Sequence, residues 1–190
     1  FHRESQIPLS DVLPMMENLG LRVIGERPYD INAPQQRYWI HDFELEHSRE
    51  GVNLSEMRDT FSEAFKRIWA GEADNDAFNR LIISAGLDWR EVAMLRGYAR
   101  YLKQIRFGMS QDYIAATLAN YPAITQTLVE LFRLRFDPAQ QPSNLDDCLA
   151  RLNEHLEGVA SLNDDQLLRR GWQRSSWLAR AARRLLSAAG

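Results

Sequence analysis

This 190-residue chain is short of several things whose absence narrows what it does. Cys148 is its only cysteine, so no disulfide framework is open to it and a reducing cytoplasm is the expected setting. No stretch approaches the roughly 18 consecutive apolar residues of a membrane span. The opening FHRESQIPLSD lacks the charged-then-apolar layout of a signal peptide and reads as a chain entered mid-strand, as a cut fragment would be. No glycine-rich loop follows a strand-like run, so no phosphate or dinucleotide cradle is visible. Lys66 and Lys103 stand mid-helix without flanking glycines. Between Ser110 and Phe132 there is no Lys or Arg at all.

Charge is also unevenly spread. The net charge is −3, yet residues 169–190 hold six Arg and no acid, leaving 17 basic against 26 acidic groups in residues 1–168. An acidic body disfavours nucleic acid as a partner. SQDYIAATLANYPAITQTLVELF has the outline of a helix-turn-helix, but its second helix carries no cation for a groove. A structural pair of helices is the reading that fits.

What is present is mostly helical. Residues 87–109, LDWREVAMLRGYARYLKQIRFGM, form the strongest pattern. Asp88 and Glu91 have capping-box spacing, Trp89, Val92, Leu95, Tyr98, Leu102 and Ile105 recur at helical intervals, and Gly108 follows as a stop. Trp89 is expected to anchor the core from this stripe. Arg96, Arg100, Lys103 and Arg106 are assigned to the opposite face, as a solvated stripe or a docking surface for acidic protein. Gly97 within that helix suggests a close approach. Further helices are expected from Asn53 (capped, with Glu56 reciprocating) to Ala70, and after Asp74 or Asn75 to Gly86. Others run from Gln111 to Asn120 behind Ser110, from Pro122 to Phe136, and from Asn144 through Val159, with a last one from Asn163. Asp137-Pro-Ala-Gln-Gln-Pro reads as a linker.

The first 47 residues read differently. Phe1–Arg3 suit a strand end, and Ser10 suits the cap of a helix to Leu19 with Pro14 in its first turn. Two strands follow at Leu21–Ile31 and Arg37–Glu46, with Val23 and Tyr29 on one side of the first and Ile24 on the other. Trp39, His41, Phe43 and Leu45 share a face of the second. The fold class is therefore α+β, mostly α: a small ferredoxin-like βαββ unit followed by a helical bundle. The expected divisions are 1–50, 51–170 and a basic tail at 171–190.

Catalytic and metal-ligating residues are not found. His41 and Asp42 point to opposite faces of a strand, and His2, His41, His47 and His155 lack metal-ligand spacing. Glu44 and Glu46 suit a solvated strand face. Asp146-Asp147 and Asp164-Asp165 suit first helical turns, where the helix dipole favours acids.

FNRLIISAGLDWREVAMLRGYARYLKQ, followed by SQDYIAATLANYPAITQTLVELFRLRFDP, resembles the helical region of the large multidomain bacterial NAD-specific glutamate dehydrogenases. IPLSDVLPMMENLGLRVIGERPYDI through WIHDFEL resembles their ACT-type domain. The resemblance covers roughly residues 1–170. It implies a non-catalytic regulatory and assembly segment of an enzyme converting L-glutamate, NAD and water to 2-oxoglutarate, ammonia and NADH. NAD would serve the whole enzyme and no cofactor this segment. The implied partners are the rest of the polypeptide, other subunits of a homo-oligomer and an amino-acid effector, without nucleic acid or membrane. Ligand-binding ACT domains carry a glycine before the first helix where this chain has Ile7-Pro8-Leu9, which favours sheet pairing through Trp39, His41 and Phe43. A stand-alone helical adaptor for a protein partner is the alternative. The resemblance stops at Arg170, and GWQRSSWLARAARRLLSAAG reads as vector-encoded or out-of-frame residues, or as a basic amphipathic helix for a membrane surface.

A chain ending at Arg170 is accordingly expected not to bind duplex DNA. Salt-sensitive micromolar binding in a fluorescence titration would overturn this.

Overall fold

The computed structural model describes residues 7–34, 36–47, 57–137 and 144–169. The strand end at Phe1–Arg3, the cap at Asn53 and Glu56, the linker after Asp137 and the basic tail lie outside them. The order is helix α1 (Leu9–Asn18), strands β1 (Leu21–Ala33) and β2 (Gln36–His47), then helices α2 (Arg58–Trp69), α3 (Leu81–Ser84) and α4 (Trp89–Gln104). Helices α5 (Gln111–Asn120), α6 (Pro122–Phe136), α7 (Leu145–Glu157) and α8 (162–169) complete it. A helix, a two-stranded antiparallel sheet and a run of helices make an α+β fold that is mostly α. The chain forms two compact units, Phe1–Ala93 and Met94–Gly190, and the division falls within α4.

In the first unit, α1 starts two residues earlier than a cap at Ser10 would dictate. Pro8 occupies the cap position, and no side chain caps the helix. Pro14 therefore lies inside α1 rather than in its first turn, and the helix forgoes the bond its N–H would have made. Leu19 and Gly20 close the helix, with Gly20 at φ 85°, and the chain enters β1 directly. Val12, Met15, Met16, Leu19 and Leu21 are buried.

The hairpin contains an irregularity that alternation alone does not predict. Leu21 pairs with His47 and Val23 with Leu45, but Gly25 pairs with Glu44, leaving Ile24 as an extra residue. Beyond this bulge Glu26, Pro28 and Asp30 stand opposite Phe43, His41 and Trp39, while Tyr29 and Ile31 stand opposite Ile40 and Tyr38. Tyr29 thus shares a face with Ile40, contrary to the expectation that it lies beside Val23. Arg37 and Asp30 form an ion pair near the turn.

Helix α2 buries Ala64, Phe65 and Ile68, as its spacing predicts. The next segment is a 3₁₀ turn, Ala77–Arg80, running into α3. Its cap is Asp76, whose Oδ1 accepts the Phe78 N–H at 3.0 Å, not Asp74 or Asn75. Phe78, Leu81 and Ile82 are among the most buried side chains.

Helix α4 begins with the expected capping box. Asp88 Oδ1 accepts the N–H groups of Arg90 and Glu91 at 2.8 and 2.9 Å, and Glu91 Oε2 accepts the Asp88 N–H at 2.9 Å. Its end differs from expectation. The helix stops at Gln104, and Arg106 takes a left-handed conformation at the stop, with φ 56°, two residues before Gly108, whose φ is 84°. Phe107 N–H donates to the Leu102 carbonyl and Arg106 N–H to that of Lys103, which is a Schellman motif with a non-glycine residue at its strained position. Gly97 is exposed, and a Cβ there would touch nothing within 4 Å, so no close approach explains it.

In the second unit Ser110 Oγ accepts the Tyr113 N–H at 3.1 Å and starts α5, and Pro122 opens α6. The two form a hairpin fastened by the buried Thr125 hydroxyl, which donates to the Leu118 carbonyl at 2.7 Å. α7 packs on α6 through Cys148, Leu152 and Leu156, and Arg151 bridges to Glu130 at 2.6 Å. Burial pushes the Cys148 thiol pKa up, so the lone cysteine is an inert core residue.

These geometries predict two stabilising changes. Arg106→Gly relieves left-handed strain, and Gly97→Ala removes a mid-helix glycine from open space, each by about 0.5–1 kcal/mol. Urea denaturation followed by circular dichroism reads both, and an unchanged or lowered midpoint for Arg106→Gly would refute the Schellman assignment.

Candidate functional site

The cationic stripe of α4 is not continuous. Arg100, Lys103 and Arg106 are exposed, but Arg96 is buried at 3% exposure. Arg96 lies four residues after Val92 and three before Ala99, and these are the most buried positions of the helix, at 1% each. The buried arc is centred nearer Ala99 than the larger apolar residues suggest, so Arg96 falls within it and not on the opposite face. Trp89 is only part-buried. The guanidinium groups of Arg67 and Arg90 lie over its ring, 5.5 and 4.4 Å from the centroid, and Val92, Leu95 and Leu102 are the larger buried apolar residues of the helix instead.

Trp39, His41 and Phe43 do share a face of β2, and that face borders a cavity of about 300 Å³ within the first unit. Five aromatic residues line it: Trp39 and Phe43 from the sheet, and Phe61, Phe65 and Trp69 from α2. Phe65 stacks with both Phe61 and Trp69 at centroid distances of 6.2 Å. Ile7, Val12 and Met16, together with Ile40 of β2, complete the apolar wall, and His41, Ser62 and Lys66 bring polar atoms to it. His41 is fixed in place: its Nδ1 lies 2.7 Å from Glu26 Oε1, and its side chain is 7% exposed. The carboxylate keeps a proton on Nδ1. Nε2 is buried without a hydrogen-bond partner, a condition that costs about 1–3 kcal/mol.

The opposite face of the hairpin is open. Tyr29, Ile31 and Ile40 are 45–48% exposed there, and Ile24 at the bulge is 52% exposed. Among the described residues of unit 1, the hairpin face with the most exposed large apolar side chains is therefore the Tyr29–Ile31–Ile40 face. Glu44 and Glu46 are exposed on the solvent side of β2, as expected.

In the second unit Asp164 has a role that its place in a first helical turn does not convey. Its carboxylate accepts the Tyr113 hydroxyl at 2.6 Å, the Thr117 hydroxyl at 3.1 Å and the Tyr121 hydroxyl at 3.2 Å, tying α8 to α5. Burial alone would raise its pKa. Hydrogen bonds from Tyr113, Thr117, Tyr121 and Ser161 outweigh that and hold it below the ordinary value. The bond to Asp164 raises the Tyr113 pKa, and burial followed by the Asp164 charge raises that of Tyr121.

Residues 1–57 match the family model for the glutamate dehydrogenase ACT3 domain, and residues 73–138 match glutamate dehydrogenase helical motif 3. The NAD-specific glutamate dehydrogenase of Halomonas elongata is 70% identical over 173 residues. Those of Pseudomonas aeruginosa and Mycobacterium tuberculosis are 45% and 36% identical over 179 and 172 residues. The chain belongs to the glutamate dehydrogenase family. These alignments take in 85–90% of this chain and about 11% of each relative's length. The glutamate dehydrogenase segment described here thus carries an ACT3 domain and a helical motif. Its only described sheet is an antiparallel hairpin, and the turn between its strands leads to no helix.

The Asp164 cluster has a definite pH signature. A depressed carboxylate contributes stability that is present above its ordinary value of 3.8 and lost as pH falls through the folded value. The raised tyrosines contribute stability present below 10.0 and lost as pH rises past it. The stability gap between the native chain and Asp164→Asn is expected to be widest near neutrality and to close toward pH 3. A gap constant from pH 3 to 7 in urea titrations would contradict this.

Proposed function

We propose that this chain is the non-catalytic assembly and regulatory segment of an NAD-dependent glutamate dehydrogenase. The whole enzyme would oxidatively deaminate L-glutamate to 2-oxoglutarate and ammonia while reducing NAD, in the cytoplasm. The observation that carries this reading is the occurrence of the ACT3 domain and helical motif 3 in order, within a chain 70% identical to one such enzyme over 173 residues. The segment's own chemistry agrees with a contact role. The Tyr29–Ile31–Ile40 face is apolar and half exposed, and full burial of each such side chain contributes on the order of 1.5–3 kcal/mol. Arg100, Lys103 and Arg106 supply exposed positive charge in the other unit, suited to acidic surface elsewhere in the same polypeptide or in a second subunit. An amino-acid effector acting through the ACT-type domain would give the assembly its regulation.

The reading is tested in the full-length enzyme by Ile31→Arg combined with Ile40→Arg. These substitutions sit on a solvent-facing strand surface, so folding is expected to survive while sedimentation shifts to a smaller species. The isolated chain, for its part, is expected to show no glutamate-dependent NAD reduction. Unchanged sedimentation of the double variant, or activity of the isolated chain that persists through repurification, would sink the proposal.

A further inference from the structure

From the cavity between the sheet, α1 and α2 we infer a binding site for a small aromatic carboxylate that bears one hydrogen-bond donor on its ring. Three features of the cavity select this class. Its volume of about 300 Å³ is at the lower end of the range of small-molecule sites, and five aromatic rings supply flat apolar wall. Such walls favour a flat ring, which stacks in offset or edge-on arrangements. His41 lines the cavity and carries a buried Nε2 with no partner. With Glu26 holding the proton on Nδ1, Nε2 is an acceptor, and it asks for an O–H or N–H from whatever fills the space. Nε2 is closed to water in this structure, so binding through it requires a wall side chain to turn aside. The third feature is Lys66, which lines the cavity yet is exposed, so it borders the open side and provides a cation for a carboxylate. A ring donor at the buried end and a carboxylate at the open end satisfy both groups at once.

Ile7 of the turn before α1 contributes to the wall, but the aromatic rings that select the ligand come from β2 and α2. Binding is read on this chain alone and assembly on the whole enzyme, so this inference and the assembly reading fail separately.

The test is isothermal titration calorimetry of the 190-residue chain with 4-hydroxyphenylacetate, phenylacetate and 4-methylphenol. The first carries both groups, the second lacks the ring donor and the third lacks the carboxylate. Saturable one-to-one binding of 4-hydroxyphenylacetate is expected, about tenfold tighter than either analogue, the factor that one hydrogen bond or charge contact of ordinary net strength carries. In His41→Phe, which keeps a ring in the wall, the advantage over phenylacetate is expected to vanish. In Lys66→Met, which keeps the apolar stem, the advantage over 4-methylphenol is expected to vanish. Circular dichroism reports whether the variants fold, and the ratios in the native chain stand without them. No saturable heat at millimolar 4-hydroxyphenylacetate, or three equal affinities in the native chain, would overturn the inference.

Discussion

One unpaired residue in β1 decides how the first unit presents itself. Had Val23–Leu45 pairing continued without interruption, Tyr29 would stand opposite Trp39, and Glu26 would lie on the outer face. The extra residue at Ile24 reverses the alternation from Gly25 onward. Glu26 comes to the inner face and fixes the His41 ring at 2.7 Å, while Tyr29 and Ile31 turn out beside Ile40. The Glu26–His41 contact and the open apolar face are thus two results of one register shift. Neither exists without it, because a hairpin of regular alternation would direct most of its larger apolar side chains to one face.

How much of this was legible in the sequence depends on how local the cause is. The Asp88–Glu91 box, the Ser110 cap and the Pro122 start are set by residues within one turn of each other, and each forms where the spacing predicts. The bulge depends on pairing with a strand about twenty residues away. Its one local sign is Gly25, since a glycine inside a strand often marks a bulge. The misplaced Arg96 has a different origin. Its helix buries Ala99 at 1% exposure, and a small residue adds little to an apolar pattern even when it sits at the centre of the buried arc. Arg96, one position after Leu95 and three before Ala99, is drawn inward with it. Asp164 escaped for a third reason: its partners Tyr113, Thr117 and Tyr121 lie 43 to 51 residues earlier, and a first-turn acid already has a sufficient local explanation.

The two faces of the hairpin also set the terms on which a ligand could influence assembly. A molecule in the cavity touches Trp39, His41 and Phe43, and Ile40 between them both borders the cavity and carries an exposed side chain beside Tyr29 on the open face. Sharing a strand is not coupling in itself. A ligand shifts an assembly equilibrium only by the difference in its affinity for the assembled and unassembled forms, and assembly must then change ligand affinity by the same factor. In this hairpin the element able to carry such a difference is the Ile24 bulge, where the regular ladder between β1 and β2 is broken. A cavity occupant that pulls Glu26 and His41 together draws on the same register that turns Tyr29 and Ile31 outward. Coupling between the faces therefore requires the bulge to differ between the two forms. With a fixed bulge, the cavity and the open face act independently, however tightly either is occupied.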